Sequence, residues 1–504
     1  MKKQDAKENI VSRPPIIAIM GHIDHGKSKL LDYIRKTNVV DSEAGGITQH
    51  LSAYEVTHKN QSGEDKKITF LDTPGHAAFS AMRSRGVVVA DIAILVVSAE
   101  EGVKAQTIEA LETIKESGIP YIVAINKIDR PEANVEKTKQ NLSENKIYLE
   151  GYGGDIPFVP ISAKEGTGVD ELLDMMLLVA EMEELTGDLN KKATGVVVES
   201  RLDSKEGICA TLIIKDGTMA KGGFITVQGG MAPTRKIEDF LGNNVPQTSF
   251  SSPVRIVGFN QIPPVGSIFN FSETKKEAEA LIKEYKNSSS SKENNIMGDE
   301  NLEATVIPII IKADVLGTLE AIENLILQLN KEDIYFKIIS SGAGSISEAD
   351  IKMAGAAKKP IIIGFHTKVE PSAIDLADRS GMEIKIFDII YKITEWLEEE
   401  MEKRRPLIST EEITGRAKVI RVFSKTKDKQ VLGAKVKEGS LKLKSGVKII
   451  RRDVELGTGK ILELQQSKIA AQEIQEGNEF GSMIESKVEI APGDIIEAFI
   501  IVEK

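Results

Sequence analysis

Between Pro14 and about Leu185, short β-branched apolar runs alternate with stretches that repeat their apolar residues at helical spacing. The runs are IIAIM (16–20), ITFLD (68–72), DIAILVVSA (91–99), YIVAIN (121–126) and IPFVPISA (156–163). Near-continuous apolar strands suit a sheet covered on both faces, so residues 14–188 are predicted to form a parallel sheet wrapped by helices. From 189 to 275 the pattern changes to short strands separated by Gly, as in GVVVESRLD, ATLIIKDG and GGFITVQGG, which predicts a small antiparallel β-barrel. The segment 276–303 ends in KNSSSSKENNIMGDEN (286–301), too rich in Ser, Asn and charge to sustain a core, and reads as a linker or mobile loop.

A second alternating unit fills 304–387, with strands VIPIIIKA (306–313), FKIISSG (336–342) and KPIIIGF (359–365) and helices near 317–329, 347–356 and 371–380. DIIYKITEWLEEEMEKRR (388–405) keeps apolar residues at helical spacing, then turns almost wholly charged. It predicts a connecting helix within 388–410, stopped at Pro406, on which Trp396 is read as a packing residue. Residues 411–504 return to strands and Gly turns, a second β-barrel. ATLIIKDGTMAKGGFITV (210–227) and GAKVKEGSLKLKSGVKII (433–450) share strand, acidic-Gly turn, basic residues, Gly and strand. Two related barrels explain this, and convergent hairpins are the alternative.

Composition narrows the class. A chain of 504 residues is several core-forming units long, so three or four domains are expected. The lone cysteine, Cys209, excludes an internal disulfide and a Cys-based zinc site, and reads as a small buried hydrophobe. The start, 1–13, is a short polar tail without the apolar stretch of a signal peptide, and no apolar run reaches the roughly 18 residues that cross a bilayer. A cytoplasmic protein without membrane contact is therefore expected. The net charge of −11 argues against generic nucleic-acid binding. From Glu412 to Lys504, however, 17 Lys and Arg face 14 Asp and Glu, so any RNA contact is expected at this end, a mildly basic solvated surface being the alternative.

The chemistry lies in the first domain. GHIDHGKS, the residues Gly21, His22, Ile23, Asp24, His25, Gly26, Lys27 and Ser28, follows a predicted strand and opens the helical KLLDYIRK. This is the spacing and setting of a phosphate loop: backbone N–H groups wrap the phosphates, Lys27 adds charge at the β- and γ-phosphates, and the Ser28 hydroxyl can ligate Mg²⁺. FLDTPGH (70–76) puts Asp72 at a strand end, where an acid can hold Mg²⁺ directly or through water. Thr73 and Pro74 lead into Gly75, whose N–H suits the γ-phosphate, and His76 can orient the attacking water. Asn126, Lys127, Ile128 and Asp129 form NKID after another strand. The Asp129 carboxylate can accept from guanine N1–H and N2–H₂, whereas adenine offers neither, a mismatch costing about 1–3 kcal/mol or more, so GTP is favoured over ATP. Ser162, Ala163 and Lys164, in ISAK, end a further strand whose backbone can close over the base. The fold class is thus multidomain α/β plus β: a P-loop GTPase domain, two β-barrels, one small α/β domain and a connecting helix.

GHIDHGK and DTPGH together resemble the translational GTPases. Within them EAGGITQH (43–50), DTPGHAAFSAMRSRG (72–86), VAINKIDRP (123–131), IIKADVLGTLEAI (310–322), GAGSISEADI (342–351) and PGDIIEA (492–498) resemble the bacterial initiation factor two family over nearly the whole chain. The resemblance implies a factor that brings formylated initiator methionyl-tRNA to the small ribosomal subunit, promotes joining of the large subunit, meets ribosomal RNA, and hydrolyses GTP on the ribosome; the sequence carries no signal of oligomerisation, and a monomer is assumed. It implies Thr48 as the switch threonine on Mg²⁺ and the γ-phosphate, Asp24 beside a counter-cation, and a His76 that is placed for hydrolysis only on the ribosome.

Two departures stand out. Only about a dozen residues precede the GTPase pattern, where many family members carry long N-terminal regions. In the last domain, relatives hold the formylmethionyl group with a Lys-Arg-aromatic cluster and small positions near E-C-G. Here Gln465, Gln466 and Ser467 fall in the cluster, Glu479 and Gly481 persist, and Phe480 and Ala434 take the small positions. Weaker or differently built initiator recognition is expected. The alternatives are an elongation factor for a special tRNA, disfavoured by GGITQH and AFSAMRSRG, and a nucleotide-gated binding module without useful catalysis, disfavoured by the retained Lys27, Thr48, Asp72 and His76.

Overall fold

The structure, a computed structural model, describes residues 10–36, 48–60, 62–203, 205–289, 305–405, 409–467 and 469–503. The chain divides into two compact units, Met1–Arg404 and Arg405–Lys504.

The first unit begins with a six-stranded sheet in the order Ser52–Lys59, Asp65–Asp72, Ile16–Gly21, Ile92–Ser98, Tyr121–Asn126, Phe158–Pro160. Its strands are parallel except the outer Ser52–Lys59, which runs antiparallel to Asp65–Asp72. Alternate side chains of the central strand enter different cores, because successive residues of a strand point to opposite faces. Ile16, Ala18 and Met20 pack with Met82 of α2 (Ser80–Val89), Ile114 of α3 (Ala105–Ser117) and Leu142 of α4 (Val135–Glu144). Ile17 and Ile19 pack with Leu30 and Leu31 of α1 (Lys27–Arg35) and Leu172 and Met176 of α5 (Val169–Met182). Two apolar faces explain why the strand reads as an unbroken apolar run.

A seven-stranded antiparallel sheet follows, in the order Gly230–Pro233, Phe224–Val227, Ile268–Ser272, Thr194–Asp203, Gly207–Asp216, Pro253–Val257, Ile237–Asp239. Ala232 and Ile237, from opposite ends of that order, belong to one core with Phe269, so the sheet folds round on itself. The small α/β domain has four parallel strands, ordered Ile334–Ala343, Thr305–Ala313, Ile361–Phe365, Ile384–Phe387, with helices α7 (Leu316–Leu329), α8 (Glu348–Ala354) and α9 (Pro371–Ser380). The connecting helix α10 (Ile390–Arg404) buries Ile393, Leu397 and Met401, and Trp396 packs on Phe387 with ring centroids 5.6 Å apart.

Three expectations change. Ile10–Ser12, placed in a polar tail, is a strand paired with Thr186–Asp188, and Arg13 beside it binds buried Asp91 with two 2.6 Å hydrogen bonds. The segment 276–303, expected as linker, opens with α6 (Lys275–Ser289), whose Ala278 and Ile282 are buried; residues 290–303 lie outside the described ones. Finally, Ser52–Lys59 and Ile384–Phe387 are strands that the apolar pattern did not mark.

In the second unit the long strand Ser409–Thr426 pairs with both Lys429–Lys442 and Ile495–Glu503. Through Gly446–Arg451, Val454–Gln466 and Glu479–Ser486 the pairing returns to its start, closing a six-stranded barrel.

Candidate functional site

The predicted motif residues converge at the C-terminal ends of the parallel strands, the usual ligand position of such sheets. After Gly21 the chain makes one turn of tight helix, Ile23–His25, and enters α1 through Gly26. Gly26 has φ +86°, and a Cβ there would lie 2.4 Å from the Asn126 amide, so only glycine fits. Lys27 is almost fully buried and donates from Nζ to the carbonyls of Gly21 (2.8 Å) and His22 (2.6 Å); burial pushes it down to about 8. A cavity of about 220 Å³ is lined by Ile23, Asp24, Gly26, Lys27, Ser28 and Lys29 on one side and by Asn126, Lys127, Asp129, Arg130, Ala163 and Lys164 on the other. It joins the phosphate loop to the base-reading loops.

A smaller cavity of about 50 Å³ shares Ile23, Asp24, Lys27 and Ser28 and adds Thr48, Gly75 and His76. Here the hydroxyls of Ser28 and Thr48 lie 2.8 Å apart, and Thr48 donates to Asp72 Oδ2 at 3.4 Å. Among the described residues the other Asp72 oxygen is buried without a hydrogen-bond partner, and burial pushes the carboxyl up to about 6 against the pull of Arg35 and Lys27. Three hard oxygens, one of them an unsatisfied buried carboxylate oxygen, are the donor set a small divalent cation takes. Gly45, Gly46 and Ile47 of the switch motif lie outside the described residues.

His76 ends the DTPGH turn, its Nδ1 accepting from Ala78 N–H at 3.1 Å. A neutral ring so bonded carries its proton on Nε2. Burial and the Arg83 charge hold it below the usual histidine range. The turn is fixed behind it: the buried Thr73 hydroxyl donates to the carbonyl of Ile19 at 2.6 Å, and Arg83 donates to those of Pro74 and His76.

On the base side Asn126 is buried, donating to the carbonyl of His25 (2.8 Å) and accepting from Ala163 N–H (2.9 Å). Asp129 is half-exposed at the cavity wall, and the Ser162 hydroxyl, 2.7 Å away, holds it below the usual carboxylate range. It therefore stands ionised, as guanine reading requires. Lys127 has φ +66° and lies 3.7 and 3.6 Å from Glu100 and Glu101.

Not every motif residue faces the cavities. His22, His25, Asp72, Thr73, Pro74, Ile128 and Ser162 line neither, nor does Gly21, and Asp72 reaches the smaller one only through Thr48. His25 turns inward, fully buried, its Nδ1 3.2 Å from the carbonyl of Val96, and burial pushes it down to about 4. Conversely, Lys29 and Arg130 line the larger cavity, and Gln106 accepts from Ile23 N–H at 3.2 Å. Lys29 and Arg130 directly follow motif residues, whereas Gln106 reaches the loop from α3, 83 residues on, and local spacing does not report it. Gln49, next to Thr48, is also buried; it donates to the carbonyl of Asp388 (2.9 Å) and accepts from Ile390 N–H (3.2 Å).

In the last domain the residues considered for the initiator split between two faces. Ala434 and Phe480 are register partners whose side chains enter the barrel core. Gly481 pairs with Gln465 on one side and Gly433 on the other, and Gln465 and Glu479 are exposed, as is Ser467, at φ +52° in the following turn. Gln466 is half-buried and pairs with Ile469.

Residues 12–182 match the model of the Elongation factor Tu GTP binding domain, 192–271 that of Elongation factor G domain 2, and 282–398 that of Translation-initiation factor 2. The chain is 40% identical over 511 residues to the translation initiation factor IF-2 of Bacillus cereus (strain B4264), covering 99% of this chain and 74% of that one. The same values hold for the IF-2 of Bacillus thuringiensis subsp. konkukian (strain 97-27). Among solved structures, GDP-bound aIF5B from Aeropyrum pernix is 27% identical, with 97% of this chain and 92% of that one covered at a TM-score of 0.47. The first domain is thus that of a GTP-binding GTPase of the translation-factor class. The chain belongs to the translation initiation factor IF-2 family. Among the described residues, no helix is long and apolar enough to cross a membrane.

Proposed function

We propose that this chain is a cytoplasmic, monomeric factor that promotes binding of initiator formylmethionyl-tRNA to the small ribosomal subunit and joining of the large subunit, hydrolysing GTP to GDP on the ribosome. The single observation that carries this reading is that Ser28 and Thr48 meet Gly75 and His76 in one small cavity, with Asp72 accepting from the Thr48 hydroxyl beside it. Ser28, Thr48 and Asp72 would hold Mg²⁺, which when bound offsets the charge of the β- and γ-phosphates. Lys27 adds a second positive charge, the N–H groups of Gly21–Ser28 and Gly75 wrap the phosphate oxygens, and Asp129 with Asn126 and Ser162–Lys164 reads guanine. His76 Nε2–H donates to the attacking water, whose oxygen adds to the γ-phosphorus as the bond to the β–γ bridging oxygen breaks. Asp24 lines both cavities and suits a counter-cation site. Ribosomal RNA contacts are assigned to the mildly basic last domain, where Gln465, Gln466, Ser467, Glu479 and Gly481 with core residues Ala434 and Phe480 form an altered initiator site.

The test is GTP hydrolysis by the purified protein alone and with initiation complexes carrying formylated or unformylated initiator tRNA, beside His76→Ala. Stimulation that depends on ribosomes, on His76 and on the formyl group is expected. Stimulation blind to formylation would move initiator selection away from this chain, and its absence with intact ribosomes would sink the proposal.

A further inference from the structure

Arg83, 2% exposed, is the bulkiest fully buried side chain among the described residues, and a buried guanidinium is retained only where its donors are satisfied. It lies on α2, seven residues after His76. Nη1 donates to the carbonyl of Pro74 at 3.1 Å and to that of His76, the two carbonyls that bracket the Gly75 peptide. Nη2 donates to the Glu109 carboxylate on α3. The planar fork thus ties the hydrolysis turn at two points to a helix on the far side, a geometry that a single ammonium cannot reproduce. Thr73 fixes the start of the same turn to the central strand.

We infer that Arg83, braced by Glu109, is a positioning residue for GTP hydrolysis: it sets the Pro74–His76 backbone so that Gly75 N–H and the His76 ring face the phosphate cavity. This rests on the reading of His76 as the group that orients water. Arg83 also acts through its charge. His76 faces Arg83 and Glu109, which respectively lower and raise its pKa, and the Phe79 ring, 6.3 Å from its own. Lys27 and Asp24 stand across the cavity, and Glu320, on α7 beside residues 77–79, is engaged by Arg85. The neutral, Nε2-protonated ring is the one the turn holds.

The experiment uses the full chain with ribosomes, comparing Arg83→Met, Arg83→Lys, Glu109→Gln and His76→Ala. Single-turnover hydrolysis is followed against pH, and nucleotide affinity is measured by titration. For Arg83→Met, hydrolysis is expected to fall on the order of 100-fold with affinity retained, since misplacing a reacting group by an ångström costs that much. Arg83→Lys recovers part of it. The acid limb of the rate profile, where His76 protonates, moves to higher pH in Arg83→Met and to lower pH in Glu109→Gln, opposite displacements that a merely structural role does not produce. If Arg83→Met does not fold, Glu109→Gln carries the test. Slow His76→Ala together with unmoved limbs and a wild-type rate in the Arg83 variants overturns the inference alone; His76→Ala as fast as wild type overturns the reading beneath it.

Discussion

The amide of Asn126 donates to the carbonyl of His25 at 2.8 Å while its oxygen accepts from Ala163 N–H at 2.9 Å, so one buried side chain joins the phosphate loop to both base loops. Asn126→Ala leaves a buried carbonyl and a buried N–H unpaired, a loss of about 3 kcal/mol. Affinities for GTP and GDP are therefore expected to fall together by about 100-fold. Titration with a fluorescent guanine nucleotide checks this, and a loss confined to GTP would contradict it.

Asp129 reads two donors on guanine. Asp129→Asn replaces an acceptor pair with one donor and one acceptor, which fits xanthine, where a carbonyl stands in place of the exocyclic amine. The variant is expected to lose about 100- to 1000-fold in GTP affinity and to prefer xanthosine triphosphate, because mismatched polar groups cost several kcal/mol. Competition between the two nucleotides decides it.

Acid sensitivity is expected from His25. Burial lowers its pKa from 6.5 to about 4, so the folded state holds it neutral. A depressed pKa adds stability that is complete above pH 6.5 and is lost as pH falls toward 4, about 3 kcal/mol in all. Urea unfolding of the first unit should weaken over that window, and His25→Gln should flatten the slope. An unchanged slope would assign it to other groups.

Phe480 lies in the closed core of the last unit, whereas Gln465, on the neighbouring strand opposite Gly481, is exposed. Phe480→Ala should cost about 3–5 kcal/mol of that unit's stability, and Gln465→Ala less than about 0.5. Chemical denaturation separates them. Equal effects would mean that Phe480 does not pack as described.

Legibility followed the range of the physics. Ile16–Met20 and Ile92–Val97 are covered on both faces, so their unbroken apolar runs marked them, and the phosphate and base loops carry their meaning in local spacing. Ser52–Lys59 is an edge strand with polar residues on its exposed side, and its pattern did not stand out between charged neighbours. In α6, Ala278 and Ile282 keep helical spacing, but the serines after them outweighed it. Gln49 and Arg13 act through partners far along the chain, as Asp388 and Ile390 lie 339 and 341 residues from Gln49 and Asp91 lies 78 from Arg13, and no window along the chain contains such pairs. Among the initiator candidates, no local spacing says that Gln465 pairs with Gly481 or that Phe480 points inward.

The barrel of the last unit closes only through Ile495–Glu503, which fills the gap between Ser409–Thr426 and Gly446–Arg451. Until those residues have been synthesised, both flanking strands present open hydrogen-bonding edges, the template on which chains aggregate. This unit therefore completes its fold only once residues 495–503 have been made, and a chain stalled before residue 495 would leave those two edges for a chaperone, or a protease, to meet.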